Sequence, residues 1–338
     1  MPKDINEKAL LVGNGINRAI SKNSVKSWED LLLDISKSFD VDIDLNNEFK
    51  PLPLTFEEIL FKSQGEFDKI LTKIKNRIAE VFADTPSNNL HKIFVDSGIK
   101  NILTTNYDYA FEKAIIPDFQ NENTYAAKST DETLNSIKRR IKFKEKILKE
   151  YGINNNVNIW HINGELKQRL SPSKLKKTSR ANSIMIGYEH YGAYLAEIQS
   201  YIKGVKKKNR NIFKKIEDDN YEPISWIDFF FMKELHIVGI SYDFSEQHLW
   251  WLLNYRAKQI KRKKIRDEKV NKIYFYHSVM PDSDPNDISK YVKQLSKKKL
   301  NKAKMDLFDS LGITTIPIEI ENYDYESYFN KVYEMVRK

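Results

Sequence analysis

The sequence contains no cysteine, and that absence excludes several kinds of chemistry. A chain without thiols forms no disulfide and has no cysteine nucleophile. It also offers no sulfur ligand to a zinc ion or an iron–sulfur cluster. Catalysis, if there is any, must therefore rest on other side chains.

Long hydrophobic runs are absent as well. The longest apolar candidate, WIDFFFM at residues 226–232, is far shorter than the roughly 20 residues of a membrane span. The N-terminal stretch MPKDINEKALLVG has neither a long apolar segment nor a cleavage site, so it does not fit a signal peptide. We expect a cytoplasmic protein that does not enter a membrane.

Positive charge predominates, since 56 lysines and arginines against 47 acidic residues give a net charge of +9. The basic residues cluster in four runs, at residues 173–177, 206–210, 261–266 and 296–304. Such runs could bind the phosphates of a nucleic acid. We favour solvated helix faces instead, because no base-reading motif accompanies the runs.

Short apolar segments alternate with amphipathic helical segments along most of the chain. The predicted strands are residues 8–12, residues 99–103, a stretch ending at His161, a stretch ending just before Gly239, and the segments KIYFYHS and TTIPIEI. Ser27 with Asp30, and Thr55 with Glu58, resemble capping boxes that begin helices. The alternation predicts an α/β fold, a Rossmann-like mainly parallel sheet with helices on both faces and a helical insertion.

We expect residues 1–338 to form a single domain. The Rossmann-like core would comprise residues 1–40, 90–117, 157–165 and 223–338, with helical or peripheral insertions at residues 41–89 and 166–222. The aromatic runs WIDFFFM and LWWLLNY exceed what one sheet face must bury, so we expect some of them at contacts between subunits. The alternative is that both helices pack wholly on the sheet.

Four of the predicted strands end in polar, turn-forming residues: GNGIN, TTNYD, HINGE and GISYD. Ligands of open α/β sheets bind at the carboxyl ends of the strands, so these turns would meet at one site. Gly13 and Gly15 fit a phosphate-binding turn, but Arg18 stands where the dinucleotide fingerprint has its third glycine. An ordinary nicotinamide dehydrogenase is disfavoured, whereas a helix N-terminus could still bind pyrophosphate.

The other three turns carry candidate functional groups, each with a structural alternative. Asn106 could position a water or a ribose hydroxyl, or cap the next helix, whose dipole Asp108 could complement. A lone histidine such as His161 is usually structural, and no nearby histidine or carboxylate at ligand spacing indicates a metal. Gly239 and Ser241 allow a ligand to approach, or form a tight loop whose serine caps a helix.

Together and in this order, the four turns resemble the sirtuin superfamily, and most of all the bacterial sirtuin-like proteins of antiphage defence. The resemblance covers residues 8–258 and includes the SWEDLL helix after the first turn. It implies a Rossmann-like sheet and NAD as the ligand, with no metal. The chain lacks the four-cysteine zinc module of the protein deacetylases, so water becomes the expected acceptor.

By this resemblance, Asn106 would hold the attacking water and the nicotinamide ribose, and His161 would act on the ribose hydroxyls as a base. Asp108 would orient Asn106 or a hydroxyl. The residues expected to bind NAD are Gly13, Asn14, Gly15, Thr105, Gly239 and Ser241. We expect Asn106 and His161 to face solvent, and His161 to titrate near its usual pKa of about 6.5.

The predicted activity is hydrolysis of NAD to nicotinamide and ADP-ribose, by an effector of antiphage defence that depletes NAD in abortive infection. The resemblance also implies a homo-oligomer with a partner such as a HerA-type ATPase or an Argonaute-like protein. Two alternatives stay open. One is a sensor or assembly module that binds NAD or ADP-ribose without cleaving it, and the other is a nucleic-acid-binding component that uses the basic runs.

Overall fold

A computed structural model describes most of the chain. The described residues are 7–20, 25–44, 50–117, 119, 126–127, 140–143, 145–153, 156–166, 184–205, 210–244, 246–280 and 288–338. The basic run at 173–177 and all but the last residue of the run at 206–210 lie outside these ranges.

Eight strands form one sheet in the order β3-β4-β5-β2-β1-β6-β7-β8. They are β1 (Lys8–Val12), β2 (Asn101–Thr104), β3 (Ala126–Ala127), β4 (Arg140–Phe143), β5 (Asn158–His161), β6 (Glu234–Val238), β7 (Ile273–Val279) and β8 (Thr314–Glu319). The six strands from β5 to β8 in this order are parallel, and β3 and β4 add an antiparallel edge. The predicted α/β class with a Rossmann-like, mainly parallel sheet is confirmed.

Helices connect the strands. They are α1 (Gly15–Arg18), α2 (Trp28–Ser38), α3 (Leu52–Lys62), α4 (Phe67–Ala83), α5 (Asn89–Val95), α6 (Ala110–Ile115), α7 (Glu145–Glu150), α8 (Tyr188–Lys203), α9 (Ile212–Ile216), α10 (Trp226–Met232), α11 (Gln247–Lys261), α12 (Ile288–Ser310) and α13 (Tyr325–Arg337). No helix in the described part of the chain combines the length and the apolar character needed to cross a membrane.

Both faces of the sheet are covered, as the alternation along β1 illustrates. Leu10 and Val12 belong to one hydrophobic core, which they share with α1 to α7 and α13. Ala9 and Leu11 belong to a second core, shared with α8 to α12. All four side chains are fully buried, as expected for a parallel strand between two helical layers.

The strand order places a topological switch point between β1 and β6. From β1 the chain builds β2 and then β5 on one side, and afterwards β6, β7 and β8 on the other. The loops after β1 and β6 therefore leave the sheet in opposite directions and open a crevice at its carboxyl edge. Open α/β sheets bind their ligands at such a point.

Two helix starts were predicted from capping boxes, and one is confirmed. Ser27 accepts a hydrogen bond from the Asp30 N–H at 3.1 Å, and the Asp30 carboxylate accepts one from the Ser27 N–H at 3.2 Å. The box at Thr55 and Glu58 is wrong, because Pro51 precedes α3 and Thr55 lies buried inside the helix. Proline is favoured at a helix start because it has no N–H that would need a partner there. The helix therefore begins at Leu52, before the predicted capping residue.

Most rings of the two aromatic runs are buried within the chain, but Trp251 and Tyr255 of α11 are partly exposed, so the expected subunit contacts stay a prediction. Trp226, Phe229 and Phe230 of α10 are fully buried, and Trp250 of α11 is 8% exposed. Phe229 packs on Trp160 of β5 with ring centroids 5.3 Å apart. The second face carries five helices, and their layer offers these rings more surface than the sheet alone does.

Two of the five basic residues in the run at 261–266 form ion pairs at the protein surface. Arg266 pairs with Glu217, and Lys263 contacts Asp267 at 2.9 Å. Just beyond the run, Lys269 pairs with Asp219. These pairs agree with the interpretation of the run as a solvated face.

Candidate functional site

A cavity of about 510 Å³ opens at the carboxyl ends of β1, β2, β5 and β6, at the switch point. This volume lies in the range of small-molecule sites. All four predicted turns contribute to its wall. The predicted site residues that line the cavity are Gly13, Asn14, Gly15, Thr105, Asn106, Asp108, Gly239 and Ser241.

Gly13 and Gly15 join the turn after β1 to the turn after β6. The Gly15 N–H donates to the Gly239 carbonyl at 3.0 Å, and the Gly13 N–H donates to the Val238 carbonyl at 3.2 Å. A Cβ atom on either glycine would lie 2.7 Å from the Gly239 carbonyl oxygen, closer than real Cβ contacts come. The glycines are therefore required by the contact between two loops, whatever else binds there.

Side chains of α12 and α13 contact the turn after β6. Gly239 has φ +66°, and a Cβ there would lie 2.7 Å from the Phe329 ring of α13, so two constraints require glycine. The Ser241 carbonyl accepts a hydrogen bond from the Lys304 ammonium at 2.7 Å. Lys304 belongs to the basic run at 296–304, and it is only 7% exposed. Ser241 does not cap α11, which begins after Glu246.

Asn106 follows β2 and is 8% exposed. Its N–H donates to the Thr104 hydroxyl at 3.0 Å, which fixes the backbone of the turn. The side chain lines the cavity and has no hydrogen-bond partner among the described residues. Asn106 does not cap α6, whose first residue is Ala110. Its amide is therefore available to a ligand.

Asp108 is 4% exposed and links the cavity to the start of α6. One carboxylate oxygen accepts the Ala110 N–H at 3.0 Å, so the structural alternative holds in part. The other oxygen accepts the Asn17 side-chain N–H at 2.8 Å. Burial raises the pKa of Asp108, although these two hydrogen bonds favour the ionised form. The contact with Asn17 was not foreseen.

A buried chain of hydrogen bonds holds Asn17 in one orientation. The Asn88 N–H donates to Nδ1 of His91 at 3.1 Å, so the ring proton belongs on Nε2, which contacts the Asn17 Oδ1 at 2.9 Å. Asn17 then donates to Asp108 and also to Asn14, at 3.0 Å. Burial lowers the pKa of His91 to about 3, so the ring stays neutral. Only the fold brings these three segments together.

His161 does not line the cavity. It is fully buried beneath the turn after β2, so the expectation that it faces solvent is wrong. Nδ1 lies 3.2 Å from the Asn106 carbonyl oxygen, and Nε2 lies 2.8 Å from a Glu112 oxygen on α6. Both ring nitrogens are thus engaged inside the protein, and His161 supports the turn that carries Asn106.

Glu112 changes the protonation of His161. Burial by itself lowers the pKa of His161, but the carboxylate of Glu112 more than offsets this and raises the pKa to about 9. Glu112 is also fully buried, and burial raises its own pKa. The expectation of titration near pH 6.5 is therefore wrong. An imidazolium donates to the Asn106 carbonyl at neutral pH.

Sequence reasoning missed two further residues on the cavity wall. Asn163 is 4% exposed, and its Oδ1 is buried with no hydrogen-bond partner among the described residues. Glu246 also has one buried carboxylate oxygen without a partner. Burial, with a smaller effect of Asp243, raises the pKa of Glu246 to about 7. HINGE and GISYDFSE contain both residues, but no pattern distinguished them from their neighbours.

The charge on the cavity wall is mixed. Arg18 is the one basic residue among the described residues of the wall, which also contains the carboxylates of Glu29, Asp108, Asp243 and Glu246. Among the described residues, no group of three or more histidines or carboxylates is placed to hold a metal ion. This wall can bind a ligand through hydrogen bonds with amides, carboxylates and backbone groups.

The fold and the cavity define an α/β protein with a cavity at the switch point of a Rossmann-like sheet, the place where such sheets bind ligands. No protein-family model and no curated protein sequence matches the chain. The likeness of the four turns to sirtuins therefore stays a prediction.

Proposed function

We propose that the cavity binds NAD and that the protein hydrolyses it to nicotinamide and ADP-ribose. One observation carries the proposal: the loops after β1, β2 and β6 bring a glycine wall and the unpaired amide of Asn106 to one switch-point cavity. The resemblance of the four turns to sirtuin-like proteins supports the choice of NAD over other nucleotides.

The cavity wall fits the parts of such a ligand. The turn with Gly13 and Gly15 lines the cavity, although its two glycine N–H groups donate to the turn after β6, and Arg18 supplies a positive charge for a pyrophosphate. Carboxylates such as Asp243 and Glu246 accept hydrogen bonds from ribose hydroxyls, as acidic residues do in dinucleotide sites. Trp28, whose ring lies 5.8 Å from that of Tyr107, adds an apolar side to the cavity.

The proposed reaction breaks the bond between the nicotinamide nitrogen and the ribose, and the electron pair leaves with neutral nicotinamide. Positive charge develops on the sugar, as in other glycoside cleavages, and the nearby Asp108 carboxylate favours it. Water attacks the same carbon, and its proton passes to the solvent. Asn106 orients that water, and His161 acts as a positioning residue because it touches only Asn106 and other buried groups.

In the cell, the proposed role is that of an effector of antiphage defence, which acts on cytoplasmic NAD as a homo-oligomer with an activating partner. This role rests on the resemblance alone. A HerA-type ATPase or an Argonaute-like protein encoded beside it is the expected partner. Assembly would keep the cavity closed until infection.

A second candidate is a module that binds NAD or ADP-ribose without cleaving it. The burial of His161 favours this alternative, because the predicted base does not reach the cavity wall. The available Asn106 amide favours hydrolysis. Binding is common to both candidates, and only turnover separates them.

The test is incubation of the purified protein with NAD and EDTA, alone and with the encoded partner, followed by chromatography. We expect release of nicotinamide and ADP-ribose, undiminished by EDTA. Binding of NAD without release of nicotinamide under every condition would favour the sensor. Absence of both binding and turnover would refute the proposed function.

A further inference from the structure

The strongest unexplained group outside the predicted machinery is Asn163. It lies on the cavity wall, is 4% exposed, and its Oδ1 is buried without a partner in the described part of the chain. Its backbone is engaged normally, since its carbonyl accepts the Met185 N–H at 3.0 Å. The side-chain oxygen is buried and unsatisfied, and the side-chain Nδ2 has no hydrogen bond among the described residues either.

Asn163 occupies the position after β5 that corresponds to the position of Asn106 after β2. The two strands are parallel neighbours in which Thr104 is paired with His161, and the Ile162 N–H continues the ladder by donating to the Thr104 carbonyl at 2.8 Å. Asn106 and Asn163 each follow that pair by two residues. Two amides thus leave adjacent strand ends, and both line the same cavity.

A buried acceptor without a donor costs free energy, and such atoms are rare in folded proteins. The cost is recovered where a bound molecule supplies the donor. NAD carries suitable donors on its nicotinamide riboside half, namely the ribose hydroxyls and the carboxamide N–H groups. The pyrophosphate carries none.

We propose that Asn163 is a ligand-contacting residue, whose Oδ1 accepts a hydrogen bond from a donor on the nicotinamide riboside half of NAD. This inference rests on the proposed function. It also assigns to Asn163 the direct contact with the riboside that His161, buried two residues earlier, does not reach.

The test compares the wild type with Asn163→Leu, which removes the acceptor, and Asn163→Asp, which keeps one. The probes are ADP-ribose and carba-NAD, an NAD analogue that is not hydrolysed, and the readouts are calorimetric Kd and melting temperature. Asn330→Leu, at an exposed position of α13, is the matched control.

We expect Asn163→Leu to weaken carba-NAD binding about tenfold, as loss of one hydrogen bond predicts, and Asn163→Asp to weaken it less. The melting temperature of Asn163→Leu should equal or exceed that of the wild type, because the unsatisfied oxygen is gone. Weaker binding of both probes identifies a ribose hydroxyl as the donor. Weaker binding of carba-NAD alone identifies the carboxamide.

Two results overturn the inference while leaving the proposed function intact. One is wild-type affinity of Asn163→Leu for both probes. The other is a fall of many degrees in its melting temperature, since the amide must then be engaged within the protein. If the wild type binds neither probe, the proposed function fails and this inference fails with it.

Discussion

Around the turn after β2, three side chains make different contacts. Asn106 lines the cavity, Asp108 accepts a hydrogen bond from Asn17, and His161 contacts the Asn106 carbonyl from inside the protein. A substitution of His161 would leave Glu112 as a buried carboxylate without its partner, a change that typically costs about 3–5 kcal/mol. His161 variants thus report on stability as well as on chemistry, whereas Asn106 variants isolate the chemistry.

We predict that Asn106→Ala lowers NAD turnover by at least about 100-fold, the scale expected for loss of a residue that positions the reacting water. Its free energy of unfolding should change by less than about 1 kcal/mol, because the side chain has no hydrogen bond to lose within the described structure. Steady-state kinetics and urea unfolding measure the two effects. Asn330→Ala, on the surface of α13, serves as the control. Near-wild-type turnover would remove Asn106 from the proposed mechanism.

At the scale of elements, the turns after β1 and β6 form one wall because their backbones touch. Gly15 and Gly239 supply the contact, and α1 that follows is only four residues long. The apolar strands β1 and β6 fix the distance between the turns through five registered residue pairs.

We predict that Gly15→Ala weakens NAD binding at least about tenfold and destabilises the protein by about 1–3 kcal/mol, because its Cβ would lie 2.7 Å from the Gly239 carbonyl oxygen. Backbone atoms cannot move aside as a flexible side chain can. Gly192→Ala is the matched control, since no atom lies within 4 Å of a Cβ there. That exposed position is inside α8, so alanine should stabilise the protein by about 0.5–1 kcal/mol. Similar stability changes in the two variants would contradict the packing argument.

At the scale of the whole molecule, a buried pair makes stability depend on pH. The pKa of His161 is raised to about 9, and the pKa of Glu112 is raised by burial. In both cases the folded state holds a proton more tightly than the unfolded state does. The stabilisation from His161 is thus complete below about pH 6.5 and is lost as the pH rises through about 9.

We predict that the free energy of unfolding falls by on the order of 3 kcal/mol between pH 6.5 and pH 9.5, following the shift of His161 from its usual pKa. Urea unfolding at several pH values measures it. Histidines with lowered pKa values, such as His91, add to the slope only at lower pH. The Glu112→Gln variant should be less stable at neutral pH, and its free energy of unfolding should depend less steeply on pH. A flat profile in the wild type would contradict the assigned protonation.

Much of the architecture could be predicted from local patterns. Continuous apolar runs such as ALLV predict buried parallel strands, and Ser27 with Asp30 predicts the start of α2, because both signals act within a few residues. The position of the four turns also followed, since parallel strands place their carboxyl ends at one edge of the sheet. Of helix α12, only the basic run at 296–304 was expected to lie on a helix face, and the rest of the helix was not foreseen.

Only the tertiary structure decided what the turn residues contact. The sequence pattern of Gly13 and Gly15 predicts a phosphate-binding turn, but both glycines are in close contact with a loop more than 200 residues away in the chain. His161 and Asn163 are neighbours in one motif, yet the end of β5 buries the first and leaves the second at the cavity. Strand-end patterns determined where the candidate site lies, because they depend on local sequence. Burial, pKa and hydrogen-bond partners depend on residues distant in sequence, so the packing of α5, α6 and α13 settled them.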